Sequence, residues 1–197
     1  MSSILVNISN SPTLVQISIL ADLFTSLGII ALAVLLHAVL GKQHKIISLV
    51  ALGCWMVEAI SLAISKIGSL ALIPLSQEFV KAGTPGSSYY LTLGEFLYNS
   101  VVVQMGQTME LFFYCAGGIL WYYLFYKSKY VPRVIPLYGI LAVVLAMAGT
   151  VAEFLGYGAS IIVFLPILPF ELVIGVWLLL RGIKAEVPGV VEPPRAS

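Results

Sequence analysis

The chain has 197 residues, 60% of them hydrophobic and 10% charged, with a formal net charge of +1 and a mean hydropathy of +1.03. A soluble domain carries about 25% charged residues, so these charges are too few to cover a water-facing surface, and the near-zero balance also excludes a basic nucleic-acid binder. What remains is an integral membrane protein, all-α, built as a polytopic transmembrane helical bundle. Residues 1–16 hold no Lys or Arg, and the first apolar run ends without a small-residue cleavage site, so no cleavable signal peptide is expected. Cys54 and Cys115 fall inside apolar runs and read as packing residues rather than halves of a disulfide.

Crossing a hydrocarbon layer of about 30 Å takes roughly 20 helical residues. Five segments are long enough: 14–40, 46–67, 96–126, 134–155 and 160–180. Their apolar runs are continuous rather than alternating, which excludes a β-barrel, and helices satisfy their own backbone in lipid. Lys42, Lys45, Lys127, Lys129, Arg133, Arg181, Lys184 and Arg195 all fall on one side of this arrangement, eight of the ten basic residues; Lys66 and Lys81 fall on the other. The positive-inside rule then places the N-terminus outside and the C-terminus in the cytoplasm of a cell-membrane protein. The second loop, 68–95, is the long outer one: Leu70–Phe79 has the pattern of a short interfacial helix, Pro85–Gly86 marks a turn, and Tyr89 and Tyr90 suit the headgroup layer. Residues 1–184 read as one transmembrane domain, and 185–197, with Pro188, Pro193 and Pro194, as a disordered cytoplasmic tail.

Six of the nine carboxylates lie in or at the edge of the spans: Asp22, Glu58, Glu95, Glu110, Glu153 and Glu171. No base is expected beside them at membrane depth, where an acid is costly. Asp22, Glu95 and Glu153 sit near the outer helix ends, Glu58 and Glu110 between the midplane and the outer side, and Glu171 close to the midplane. Helical spacing groups each with neighbours. Ser18, Asp22 and Thr25 share a face, as do Cys54, Glu58, Ser61 and Ser65. Ser100, Gln104, Gln107 and Glu110 run down one side, with Tyr114 next, while Ala142, Ala146 and Gly149 lead to Glu153 along a small-residue face suited to close packing. Pro166 and Pro169 precede Glu171 and are expected to kink the last span, freeing the carbonyls of Ile162 and Leu165.

The candidate ligand- or ion-binding residues are therefore Glu58, Glu110, Glu171, Gln104, Gln107, Asp22 and Glu153, around an outward-opening polar cleft. Acids near helix ends also serve as caps or face headgroups, and the deeper ones can stand protonated and hydrogen-bonded to Gln, Ser or Tyr; these alternatives stay open. No haem is expected, since His37 and His44 have no histidine on a facing helix at matched depth. Metallopeptidase, nucleophile-elbow, P-loop and dinucleotide motifs are missing from the sequence, and no cofactor or metal is expected. Trp121, Tyr122, Tyr123 and Tyr126 read as the cytoplasmic aromatic belt.

From Phe113 onward the chain resembles an uncharacterised bacterial membrane family, domain of unknown function 4386. The resemblance is carried by Tyr122-Tyr-Leu-Phe-Tyr-Lys-Ser128, Tyr130-Val-Pro-Arg133, Pro169-Phe-Glu171, Trp177-Leu-Leu and Arg181-Gly182, and in the second span by Val57-Glu58-Ala59. It implies a membrane bundle in which Glu58 and Glu171 matter, and it supplies no reaction. Members usually begin with a further hydrophobic helix that is missing here, so one flank is expected to stand open to a partner. The function expected is binding or passage of a proton, cation or small polar ligand. An accessory or assembly subunit of a membrane complex is the alternative, and an intramembrane enzyme acting on a lipid-like substrate the third. The expected partners are the lipid bilayer and a second copy or another membrane protein, with no nucleic acid.

Overall fold

A computed structural model describes residues 1–84, 86 and 89–182. The expected turn residue Pro85, the segment 185–197 expected as a tail, and Lys184 and Arg195 lie outside the described residues.

The described chain is helical in α1 (Ser2–Asn10), α2 (Pro12–Leu40), α3 (Lys45–Lys81), α4 (Tyr89–Phe96), a π-helical segment (Leu97–Met109), α5 (Glu110–Ser128), α6 (Val134–Phe154), a 3-10 turn (Ile161–Val163) and α7 (Ile167–Arg181). Four stretches are long and apolar enough to cross a membrane: Pro12–Leu40, Lys45–Lys81, Val134–Phe154 and Ile161–Arg181. The third expected span is absent from that set. Its residues are helical throughout, but the helix changes type at Met109, and α5 carries Glu110, Lys127 and several tyrosines that lower its hydropathy.

Local chemistry sets the boundaries. Pro12 occupies the first turn of α2, where its missing N–H costs nothing. His44 caps α3, its Nδ1 accepting from the Ile47 N–H at 3.3 Å, and His37 Nδ1 meets Ser48 Oγ at 3.0 Å, tying the end of α2 to the start of α3. Residues 68–81, read from the sequence as part of an outer loop with a separate interfacial helix, instead prolong α3. Pro74 removes only the bond to the Leu70 carbonyl, while Leu72, Ser76 and Phe79 recur at helical spacing and are all buried. Their cover is α1, a helix not expected from the sequence: Leu5 is fully buried against Leu72 and Phe79 in a small second core.

The main core joins α2, α3, α5, α6 and α7 through Leu36, Trp55, Trp121, Phe125, Val143 and Phe170. The expected aromatic belt divides here. Trp121 and Tyr122 are core residues, whereas Tyr123 and Tyr126 are exposed. The small-residue face of α6 packs as its spacing implies, with Ala142, Ala146 and Gly149 buried. The helices follow one another in the packing order α2, α3, α5, α6, α7, and α2 and α7 make no extensive contact with each other.

Candidate functional site

A cavity of about 510 Å³ opens between α2, α3, α5, the end of the π segment and the start of α7. Its polar lining is Thr25, Glu58, Gln107, Glu110, Tyr114 and Glu171, and no Lys, Arg or His lines it among the described residues. Glu110 and Tyr114 stand one turn apart on α5, as do Trp55 and Glu58 on α3, so each pair presents to the same space.

Tyr114 organises the wall. Its hydroxyl donates to Glu171 Oε1 at 2.7 Å and lies 3.4 Å from the Tyr122 hydroxyl. Its backbone carbonyl accepts from Trp55 Nε1 at 3.2 Å, and the Trp55 and Tyr114 rings are parallel, 6.3 Å between centroids. Trp121 stands edge-on to Trp55 at 6.0 Å, and Tyr122 packs on Phe170 at 4.5 Å. Two glycines make this possible. A Cβ at Gly117 would collide with the Trp55 ring, and one at Gly139 with the Phe170 ring, so both aromatics lie directly on helix backbone.

Glu58 is the odd group in this wall. It is 5% exposed, and its Oε2 is buried with no hydrogen-bond partner among the described residues. An unpartnered buried polar atom costs about 1–3 kcal/mol, and more when charged. Metal-ligand grouping does not account for it, because no three His, Cys, Asp or Glu side chains gather as a metal site among the described residues.

Of the seven residues singled out from the sequence, Glu58, Glu110, Glu171 and Gln107 converge on the cavity. Gln104 does not line it. The expected stripe assumed 3.6 residues per turn, and the wider i→i+5 turns of the π segment rotate Gln104 away from Gln107. Glu153 is exposed, on the rim of a smaller hollow of about 330 Å³ that shares Gln107 and Leu111 with the cavity. Asp22 is elsewhere again, paired with Lys66 at 2.7 Å. That corrects the expectation that no base accompanies the acids: α2 and α3 lie side by side, and the two residues meet across them.

The prolines also act differently from expectation. Pro166 and Pro169 stand at the cap and first turn of α7, where they start the helix rather than kink it, and the Leu165 carbonyl accepts from the Leu168 N–H. Ser18 and Thr25 donate to the carbonyls of their own helix at Val15 and Ala21. Trp55 and Tyr122 are the lining or supporting residues that sequence reasoning missed. The signal for Trp55 was its position one turn before Glu58.

The chain matches no curated protein and no solved structure. A family model does match, Domain of unknown function (DUF4386), over residues 2–182. That range contains every helix described above and all four acids and amides that line the cavity. The chain belongs to the DUF4386 family.

Proposed function

We propose that this chain is a five-span cell-membrane protein whose acid-lined cavity binds a small organic cation. The observation that carries the reading is Glu58, 5% exposed, with Oε2 unpartnered among the described residues, lining a cavity with Glu110 and Glu171. A carboxylate taken out of water is costly until a donor or an opposite charge meets it, and no protein base lines this space among the described residues. An ammonium group supplies both a charge and donors. The fifth crossing belongs to the uninterrupted helical run from Tyr89 to Ser128. The bases at Lys42, Lys45, Lys127, Lys129, Arg133 and Arg181 support an N-terminus outside and the opposite end in the cytoplasm.

The test uses purified protein in phosphatidylcholine nanodiscs and n-butylammonium as the probe. Ligand binding to the folded state raises the unfolding temperature with concentration. The wild type is expected to gain stability saturably from n-butylammonium chloride over sodium chloride at equal ionic strength. The triple variant Glu58→Gln, Glu110→Gln, Glu171→Gln is expected to gain none. An identical response in both proteins, or none in the wild type, rejects the cavity as a cation site.

The open flank between α2 and α7 favours a second reading, an accessory subunit of a membrane complex. α7 packs chiefly on α6 and leaves Leu172, Val176, Leu179 and Leu180 exposed. A stoichiometric partner co-purifying from the native membrane supports it, and a lone chain or homo-oligomer opposes it.

A further inference from the structure

A second cavity, about 390 Å³, lies beside the first along the seam between α2 and α7. The two share Leu32, Trp55, Tyr114 and Glu171 in their walls. Beyond Glu171 the character changes. Apart from Tyr122 the lining becomes Leu36, Phe125, Ile174, Gly175, Leu178 and Leu179, with no further acid, and Leu179 is largely exposed at its margin. Along the helix axis of α7, Glu171 and Leu178 are two turns apart, about 10 Å. The two spaces adjoin at the four shared side chains, the first lined by acids and the second chiefly apolar, and the second lies where α2 and α7 do not pack extensively on each other.

Building on the cation reading above, we propose that the occupant is a long-chain primary amine, a single-chain membrane amphiphile. It enters laterally between α2 and α7, places its ammonium among Glu58, Glu110 and Glu171, and lays its alkyl chain along the groove past Gly175. Charge complementarity fixes the orientation, since the acids stand only at one end. The carboxylate of Glu58, which lines the cavity and has one oxygen without a partner among the described residues, receives one of the three ammonium N–H donors. Gly175 keeps the groove open: a Cβ there would meet nothing within 4 Å, so the position faces free space rather than a packed neighbour.

That space makes the test specific. Gly175→Phe fills the groove without a collision at Cβ, and Gly175→Leu does so with a different shape should the first variant fold poorly. In phosphatidylcholine nanodiscs, the unfolding midpoint is followed against n-butylammonium, n-dodecylammonium and n-dodecanol. Wild type is expected to be stabilised by both amines, and by the alcohol far less. Gly175→Phe is expected to weaken the apparent affinity for dodecylammonium by about tenfold, equivalent to about 1.4 kcal/mol, while leaving the butylammonium response intact. Glu58→Gln is expected to weaken both amines. Groove-filling that leaves dodecylammonium unaffected overturns the long-chain occupant while the cation site stands. Equal stabilisation by dodecanol and dodecylammonium, insensitive to Glu58→Gln, identifies simple partition into the bilayer and also overturns it. Failure of butylammonium in the wild type instead sinks the cation site itself.

Discussion

Asp22 and Glu58 are acids on neighbouring helices of one bundle, and the fold treats them in opposite ways. Asp22 on α2 is 41% exposed along its side chain and meets Lys66, itself 15% exposed, at 2.7 Å. Glu58, on the same helix as Lys66, is 5% exposed and has an oxygen without a partner among the described residues. Lys66 lies eight positions after Glu58, two helical turns and about 12 Å along the axis, and its ammonium is held by Asp22. The pair is closed by the protein's own base, whereas no Lys, Arg or His lines the cavity among the described residues. Acidity at depth therefore does not distinguish a binding residue from a structural one; its partner does.

The largest effect expected comes from opening the closed pair. Asp22→Leu leaves the Lys66 ammonium largely buried without its carboxylate. Breaking a fully buried pair costs about 3–5 kcal/mol, and the partial exposure of Asp22 lowers the expectation to about 2 kcal/mol. The double variant Asp22→Leu, Lys66→Met should recover most of that loss, because the charge left unpaired is then gone. Unfolding titrations with sodium dodecyl sulfate in mixed micelles measure both. A single variant as stable as the wild type would show that the pair contributes nothing and would remove one side of the comparison.

A smaller effect is expected at the join between the cavity and its frame. Tyr114→Phe deletes the donor to Glu171 and the contact with the Tyr122 hydroxyl. A hydrogen bond to a charged group contributes about 1.5–3 kcal/mol and a neutral one about 1 kcal/mol. Glu171 stands at an exposed position on α7, so a loss near the lower figure, about 1.5 kcal/mol, is expected in the same titration. Tyr122→Phe should cost less, because its 3.4 Å approach to Tyr114 is longer. The reverse order would place the structural weight on Tyr122 and leave the Tyr114–Glu171 bond incidental.

The membrane-helix class was legible because composition and run length report it directly. Glu58, Glu110 and Glu171 were legible as candidates because each is an acid inside an apolar run, and the structure brings all three to one cavity. Three features were not legible, each for a physical reason. Gln104 was misplaced because nothing in Leu97–Met109 announces i→i+5 hydrogen bonding, which changes the angular step between residues. The Asp22–Lys66 pair was hidden because the register of α2 against α3 is a tertiary property, invisible in the spacing along either helix. Pro74 and the glycines at 83 and 86 marked 68–95 as a loop, but burial beneath α1 holds residues 68–81 in helix, outweighing one lost backbone bond.

The smallest effect is the most discriminating, because its sign is opposite. Glu58→Met replaces an unpartnered buried carboxyl by an unbranched apolar side chain of similar length. If Glu58 were satisfied within the fold, the change would destabilise, as removing a structural partner does. With Oε2 unmet, the substitution removes a polar group that gains nothing from its surroundings, and apolar replacement of such groups is neutral or stabilising. The amine-free variant is therefore expected to match the wild type or exceed it by up to about 1 kcal/mol, the reverse of Asp22→Leu. Stability that rises while amine binding disappears is the signature of a residue kept for a ligand at the fold's expense. A loss above about 1 kcal/mol in the amine-free protein would mean that Glu58 has an internal partner, and the distinction between the closed pair and the open cavity would collapse.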